Sequence, residues 1–88
     1  MIEVKILGCR SAQRYAVRQR VVAVKRDLVE ERPELKIAIS ELKGWKDIER
    51  YTQILAAPSL VVNDQLVCEG RFPTRQEVLD WLSRALEQ

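Results

Sequence analysis

The chain has 88 residues, which suits one domain with a modest single core. Hydrophobic residues make up 47% and charged residues 32%, a globular balance that excludes a disordered or low-complexity protein. Fifteen basic residues stand against thirteen acidic ones, and a net charge of +2 by itself names no partner.

The distribution of charge says more. Residues 1–32 hold eight Lys/Arg and four Asp/Glu, whereas residues 33–88 hold seven and nine. Two cysteines do not make a disulfide scaffold, so a reducing cytoplasm is the expected location. The absence of histidine excludes Cys–His and Ser–His catalysis and every His-containing metal site. Two cysteines alone do not close a zinc site, and no metal is expected. The run "ILGC" has the look of a lipoprotein cleavage site. Glu3 and Lys5 interrupt the residues before Cys9, so the apolar region such a signal needs is missing. No stretch is long and apolar enough to predict a membrane span.

Residues 2–7, IEVKIL, place Ile2, Val4 and Ile6 on one face and predict a strand. Gly8 and Cys9 follow. Ser11 is the expected N-cap of a helix that runs without Gly or Pro to about Glu31. Val17, Val21, Val24 and Leu28 recur at helical spacing, with Tyr15 and Ala16 alongside. Propensity alone would make "VVAV" a strand, but the periodicity and flanking charges favour helix. Pro33 ends it.

Residues 35–40 alternate again and predict a second strand. Gly44 to Leu55 predicts a second helix, with Trp45, Ile48, Tyr51, Ile54 and Leu55 as its apolar stripe. Strands follow at 59–63 and 66–69, joined by an Asn63-Asp64 turn and closed by Gly70. Thr74 and Glu77 form a capping box that opens a last helix, whose apolar face is Val78, Leu79, Trp81, Leu82 and Leu86. The order is β-α-β-α-β-β-α. The first two strands are expected to be parallel across a right-handed helical crossover, and the final hairpin antiparallel. Helices are expected on both faces of an α/β sheet. No linker or repeat divides residues 1–88.

With this order of elements the chain resembles the thioredoxin-fold superfamily over about residues 1–86. It is most similar to the small thioredoxin-like redox proteins of archaea and bacteria. Three features carry the resemblance. Cys9 lies between the first strand and the first helix, where the family's Cys-x-x-Cys begins. Ala57-Pro58-Ser59 lies at the start of the third strand, where the family carries a cis-proline. Gly70 follows the fourth strand, where members often have a glycine near the same site. The resemblance implies a four-stranded mixed sheet of order 2-1-3-4 and an active site around Cys9. It also implies a cis Ala57–Pro58 bond that exposes the backbone of Ala57 to an extended peptide or thiol ligand.

The motif is degenerate. The quartet here is Cys9-Arg10-Ser11-Ala12, so the resolving cysteine is Ala12. Two readings of Cys9 follow. In one it is a reactive thiol, favoured as thiolate by the helix N-terminus and by Arg10 and Arg14. Its mixed disulfide would then need a second thiol such as glutathione for release. In the other it is an inert relic on a fold kept for protein interaction. Ser11 is expected to cap the helix or to hydrogen-bond the sulfur. Cys68 is expected to be core or sheet surface, with Leu66 on its face and Val67 on the other; a resolving role needs it within disulfide reach of Cys9. Arg10, Arg14 and Arg18, extended by Lys25, line one helix face. That face is either a solvated surface or a site for an anionic ligand or acidic protein. Nucleic acid is not expected, because no aromatic platform interleaves the arginines. Trp45 and Trp81 are expected in the core or half-buried.

Overall fold

The structure, a computed structural model, describes residues 1–87. Its elements in chain order are β1 (Ile2–Leu7), α1 (Ser11–Glu31), β2 (Ile37–Leu42), α2 (Trp45–Ile48), β3 (Ser59–Val62), β4 (Gln65–Cys68) and α3 (Arg75–Leu86). The sheet order is β2-β1-β3-β4, as expected. β1 pairs in parallel with β2 from Ile2–Ile37 to Leu7–Leu42. β1 pairs antiparallel with β3 from Val4–Val62 to Leu7–Ser59. The fold is thus a thioredoxin-like α/β arrangement around a mixed four-stranded sheet.

One face of the sheet carries most of the core. Val17, Val21, Val24 and Leu28 of α1 pack with Val78 and Leu82 of α3 onto Ile2, Val4, Ile6, Ile37, Leu60 and Val62. The helix wins over the β-propensity of "VVAV" because all four predicted positions are buried at the 3.6-residue period. Each such side chain, fully buried, contributes roughly 1.5–3 kcal/mol. Tyr15, grouped with that stripe by spacing, stays exposed. An ion pair between Arg75 and Asp27 joins α3 to α1 at the surface.

The opposite face is thinly covered. Leu7, Ile48 and Val61 are buried there, with Leu42, Tyr51 and Leu66 packed around them. Lys5 extends over this cluster, donating to the Tyr51 hydroxyl at 3.0 Å. The expected twelve-residue helix from Gly44 to Leu55 is reduced to the single turn of α2. The reason lies at Thr52, which is buried. Its hydroxyl donates to Glu69 at 2.6 Å and accepts the Ile54 N–H at 3.0 Å. A threonine side chain that captures a nearby backbone N–H competes with the helix ladder. Downstream of it Ile54 and Leu55, and upstream Trp45, are left exposed instead of forming a buried stripe. Trp81 is half-buried against the main core, as expected.

The β3–β4 hairpin turns at Asn63 and Asp64, both with positive φ (48° and 66°), the pattern of a two-residue type I′ turn. Its ladder is irregular. Leu60 pairs with Cys68, but Val61 pairs with Leu66, so Val67 is an extra residue in a β-bulge. The bulge overturns the expected alternation. Leu66 faces the thin cluster, whereas Val67 and Cys68 both face the main core.

Candidate active site at the start of the first helix

β1 delivers the chain to the turn that carries Cys9. Gly8 is buried, and its N–H closes the β1–β2 ladder on the Leu42 carbonyl at 3.1 Å. Its own carbonyl accepts from Arg14 Nη1 at 2.8 Å instead of continuing the ladder. A β-carbon at Gly8 would lie 3.2 Å from Arg14 Cγ and 3.3 Å from Gln13 Cβ, so the small residue lets the helix start close against the strand. Cys9 is exposed and carries a free thiol.

The helix begins at Ser11, but the N-cap is Arg10, with φ −105° and ψ 137°. The expected Ser11 cap is therefore displaced by one residue. Once Arg10 takes the extended conformation, Ser11 is already helical and its hydroxyl cannot fill the N-cap role. The Arg10 side chain, a guanidinium with no acceptor, caps no helix N–H. Gln13 supplies half of a box, accepting the Arg10 N–H on Oε1 at 3.4 Å. Its Nε2 donates to the Ala56 carbonyl at 2.8 Å. Gln13 thus ties the Cys9 turn to the loop before β3. Its signal in the sequence is its place three residues after the cap, where glutamine commonly reaches back; the shift of the cap from Ser11 to Arg10 hides that spacing.

The β1–β3 ladder ends at Leu7–Ser59, so the Cys9 turn and the loop before β3 leave the sheet at the same end, and the Gln13–Ala56 hydrogen bond joins them. The isomer differs from expectation. No peptide bond among the described residues is cis, so the Ala57–Pro58 bond is trans. The trans form is intrinsically favoured by about 0.5–1 kcal/mol even before proline. Both flanking carbonyls have partners in this arrangement: Ala56 accepts from Gln13, and Pro58 accepts the Arg71 N–H at 3.1 Å. Pro58 is buried and Ala57 half-buried.

Gly70 lies at the same end. Its φ of +67° favours glycine, and its N–H donates to the Ser59 hydroxyl at 3.1 Å. An added β-carbon would meet Ile54 Cγ2 at 2.9 Å. Ile54, which packs on this glycine, is exposed, as are Leu55 next to it in the chain and Phe72 two residues past Gly70, and Trp45 is exposed just past the end of β2. An apolar rim therefore stands at the end of the sheet that bears Cys9.

The arginine stripe is divided. Arg14 Nε and Arg18 Nη1 both reach the Glu41 carboxylate, at 3.0 and 3.2 Å. Glu41, at the end of β2, carried no sequence signal for this role. Arg10 is exposed and has no ion-pair partner among the described residues.

Cys68 is buried against the main core, and its thiol donates to the Arg71 carbonyl at 3.4 Å. Burial pushes its pKa up, partly opposed by Arg71. Cys68 aligns with Leu60 and Leu60 with Ile6, three residues short of Cys9. Two strand spacings and three residues of rise put the two α-carbons roughly 14 Å apart. A disulfide needs less than about 6.8 Å. The two thiols are not brought together. No cluster of three or more potential metal ligands occurs, and no helix is long and apolar enough to cross a membrane, among the described residues.

A family model described as a thioredoxin domain matches residues 2–83. No curated protein and no solved structure gives a significant match.

Proposed function

The chain belongs to the thioredoxin-domain family, and from that membership we propose that it is a cytoplasmic single-thiol redox protein acting through Cys9. The observation that carries this reading is the exposed Cys9 thiol before α1, at the end of the sheet rimmed by Trp45, Ile54, Leu55 and Phe72. The substrate class is a protein or small-molecule disulfide. The Cys9 thiolate attacks one sulfur, forming a mixed disulfide, and the other sulfur leaves as a thiolate that takes up a proton. The exposed Arg10 guanidinium follows Cys9 directly and has no ion-pair partner among the described residues. Ala12 offers no thiol to resolve the intermediate, and Cys68 lies too far away. A second thiol from solution, such as glutathione, attacks the substrate sulfur, forms a new disulfide and returns the Cys9 thiolate. The rim supplies apolar contact to a protein substrate.

The test is mass spectrometry of the chain with glutathione disulfide. One glutathione adduct on Cys9, removed by added glutathione and absent in Cys9→Ser, is the expected result. Absence of an adduct, or an adduct that glutathione does not release, overturns the reading. Insulin reduction by dithiol exchange is expected to be poor, and strong activity would show that Ala12 has been misjudged.

A second reading is a non-catalytic interaction module. It is favoured by Arg14, whose guanidinium is held by Glu41 and the Gly8 carbonyl and so is not free to serve the sulfur.

A further inference from the structure

We propose that the outer edge of β2 and the groove beside it dock an extended acidic segment of a partner protein, which adds to the sheet as a fifth strand. Three observations converge on this surface. The first is the phase of the β1–β2 ladder. Ile2 N–H donates to Lys36 and Gly8 N–H donates to Leu42, so the even-numbered residues of β2 turn inward. The N–H and C=O groups of Ile37, Ile39 and Glu41 then face outward from an edge strand, which is a template for pairing.

The second is the groove between this strand and α1, of about 780 Å³. Val22, Val29, Ile37 and Ile39 line it. Val22 and Val29 lie off the buried stripe of Val17, Val21, Val24 and Leu28, so they form a second apolar row that the core leaves half-covered. The third is charge. Lys25 and Arg26 stand on the groove and have no ion-pair partner among the described residues, while Glu30 is the acid lining it. Arg18, also on the rim, is paired with Glu41.

An added strand satisfies all three. Its backbone pairs with Ile37, Ile39 and Glu41. Its side chains on the α1 side alternate between apolar contact with the valines and carboxylates beside Lys25 and Arg26. A second copy of this chain fits less well, because a two-fold pairing of β2 with β2 sets two basic rims against each other. Most of the surface lies away from the thiol: Ile37 pairs with Ile2, at the end of β1 far from Cys9, and only Glu41 reaches the Cys9 end.

The experiment is an NMR titration of the full 15N-labelled chain with a short capped peptide alternating valine and glutamate. A valine–lysine peptide is the control. The expected result is saturable shifts at Ile37, Ile39 and Glu41, slowed amide exchange at the same residues, and no such shifts with the lysine peptide. The K25E/R26E double variant, which changes only surface side chains, is expected to weaken binding at least about tenfold with an unchanged circular dichroism spectrum. Cys9→Ser is expected to bind as the wild type does, so loss of thiol activity leaves this proposal standing. Equal binding of both peptides, shifts centred elsewhere, or none at millimolar peptide would overturn it. So would a concentration-dependent dimer that protects these amides without peptide, which would assign the edge to a second copy.

Discussion

Two connections in this molecule share a plan: a strand ends near a cysteine, and a helix begins a few residues later. At the β1–α1 connection Cys9 is exposed, and the helix starts at Ser11 after an N-cap, Arg10, whose side chain caps nothing. At the β4–α3 connection Cys68 is buried, and Thr74 and Glu77 complete a reciprocal capping box. The second connection closes further on itself. Arg71 holds Glu77 through two hydrogen bonds, at 2.8 and 2.6 Å, and its carbonyl receives the Cys68 thiol. The first is held from outside, by Gln13 to Ala56 and by Arg14 to Gly8 and Glu41. The same side chain is thus a candidate nucleophile in one place and a packing residue in the other. What separates them is whether the connection satisfies its polar groups internally or leaves them open to a ligand.

The widest expected difference is in alkylation. Cys9 is accessible in the native state, whereas Cys68 reacts only through opening of the core. For a domain of ordinary stability that gap corresponds to at least about a thousandfold in rate. A time course with iodoacetamide, read by mass spectrometry, checks it; comparable rates at the two cysteines would break the comparison.

A smaller effect is expected at the glycines of the two connections. Gly70→Ala forces a β-carbon into the left-handed region and against Ile54, costing about 2 kcal/mol in urea unfolding. Gly8→Ala brings a β-carbon to 3.2 Å from Arg14 Cγ and 3.3 Å from Gln13 Cβ, contacts that a small shift of the first helical turn relieves, and is expected to cost about 1 kcal/mol. The reverse order would mean that the Cys9 turn is the more tightly built of the two.

The smallest effect is in pH dependence. The Arg71 guanidinium, with help from the Thr74 N–H, pulls the Glu77 carboxyl down to about 2. A carboxyl with a depressed folded-state pKa stabilises the fold above its unfolded value near 4.5, and that contribution fades as pH falls toward 2. Cys68 has the opposite sign of shift. Its raised pKa favours the folded thiol, and stability declines as pH rises above the ordinary value near 9. Thermal melts of the wild type and Glu77→Gln against pH check the acid limb, with the difference narrowing below pH 4.5. Cys68→Ala is expected to weaken the alkaline decline, which Lys5, its pKa raised by the Tyr51 hydroxyl, continues at higher pH.

Much of the fold was legible because its signals are local. The Val17–Leu28 stripe marks a helix by period, Asn63-Asp64 supplies two positive φ angles, and Thr74 with Glu77 supplies a cap. The position of Cys9 was legible in the same way, since it depends only on where β1 stops and α1 starts. The shortened α2 was not, because the residue that captures Thr52 is Glu69, seventeen positions away. The facing of Cys68 was not, because one bulged residue reverses an alternation that is otherwise regular. The fate of the arginine stripe was not, because Glu41 reaches Arg14 and Arg18 only after β2 has been laid beside β1.

By itself, then, the sequence determined the order of elements, the sheet order that follows from it, and a lone thiol at a helix start. These follow from periodicity, turn chemistry and the handedness of crossovers, all of which act over short stretches of chain. The tertiary structure decided which charges are free, which cysteine is buried, that the Ala57–Pro58 bond is trans, and that the edge of β2 lies open beside a basic groove. Those properties depend on groups that meet only when distant segments pack, and burial and pairing do not exist until they do.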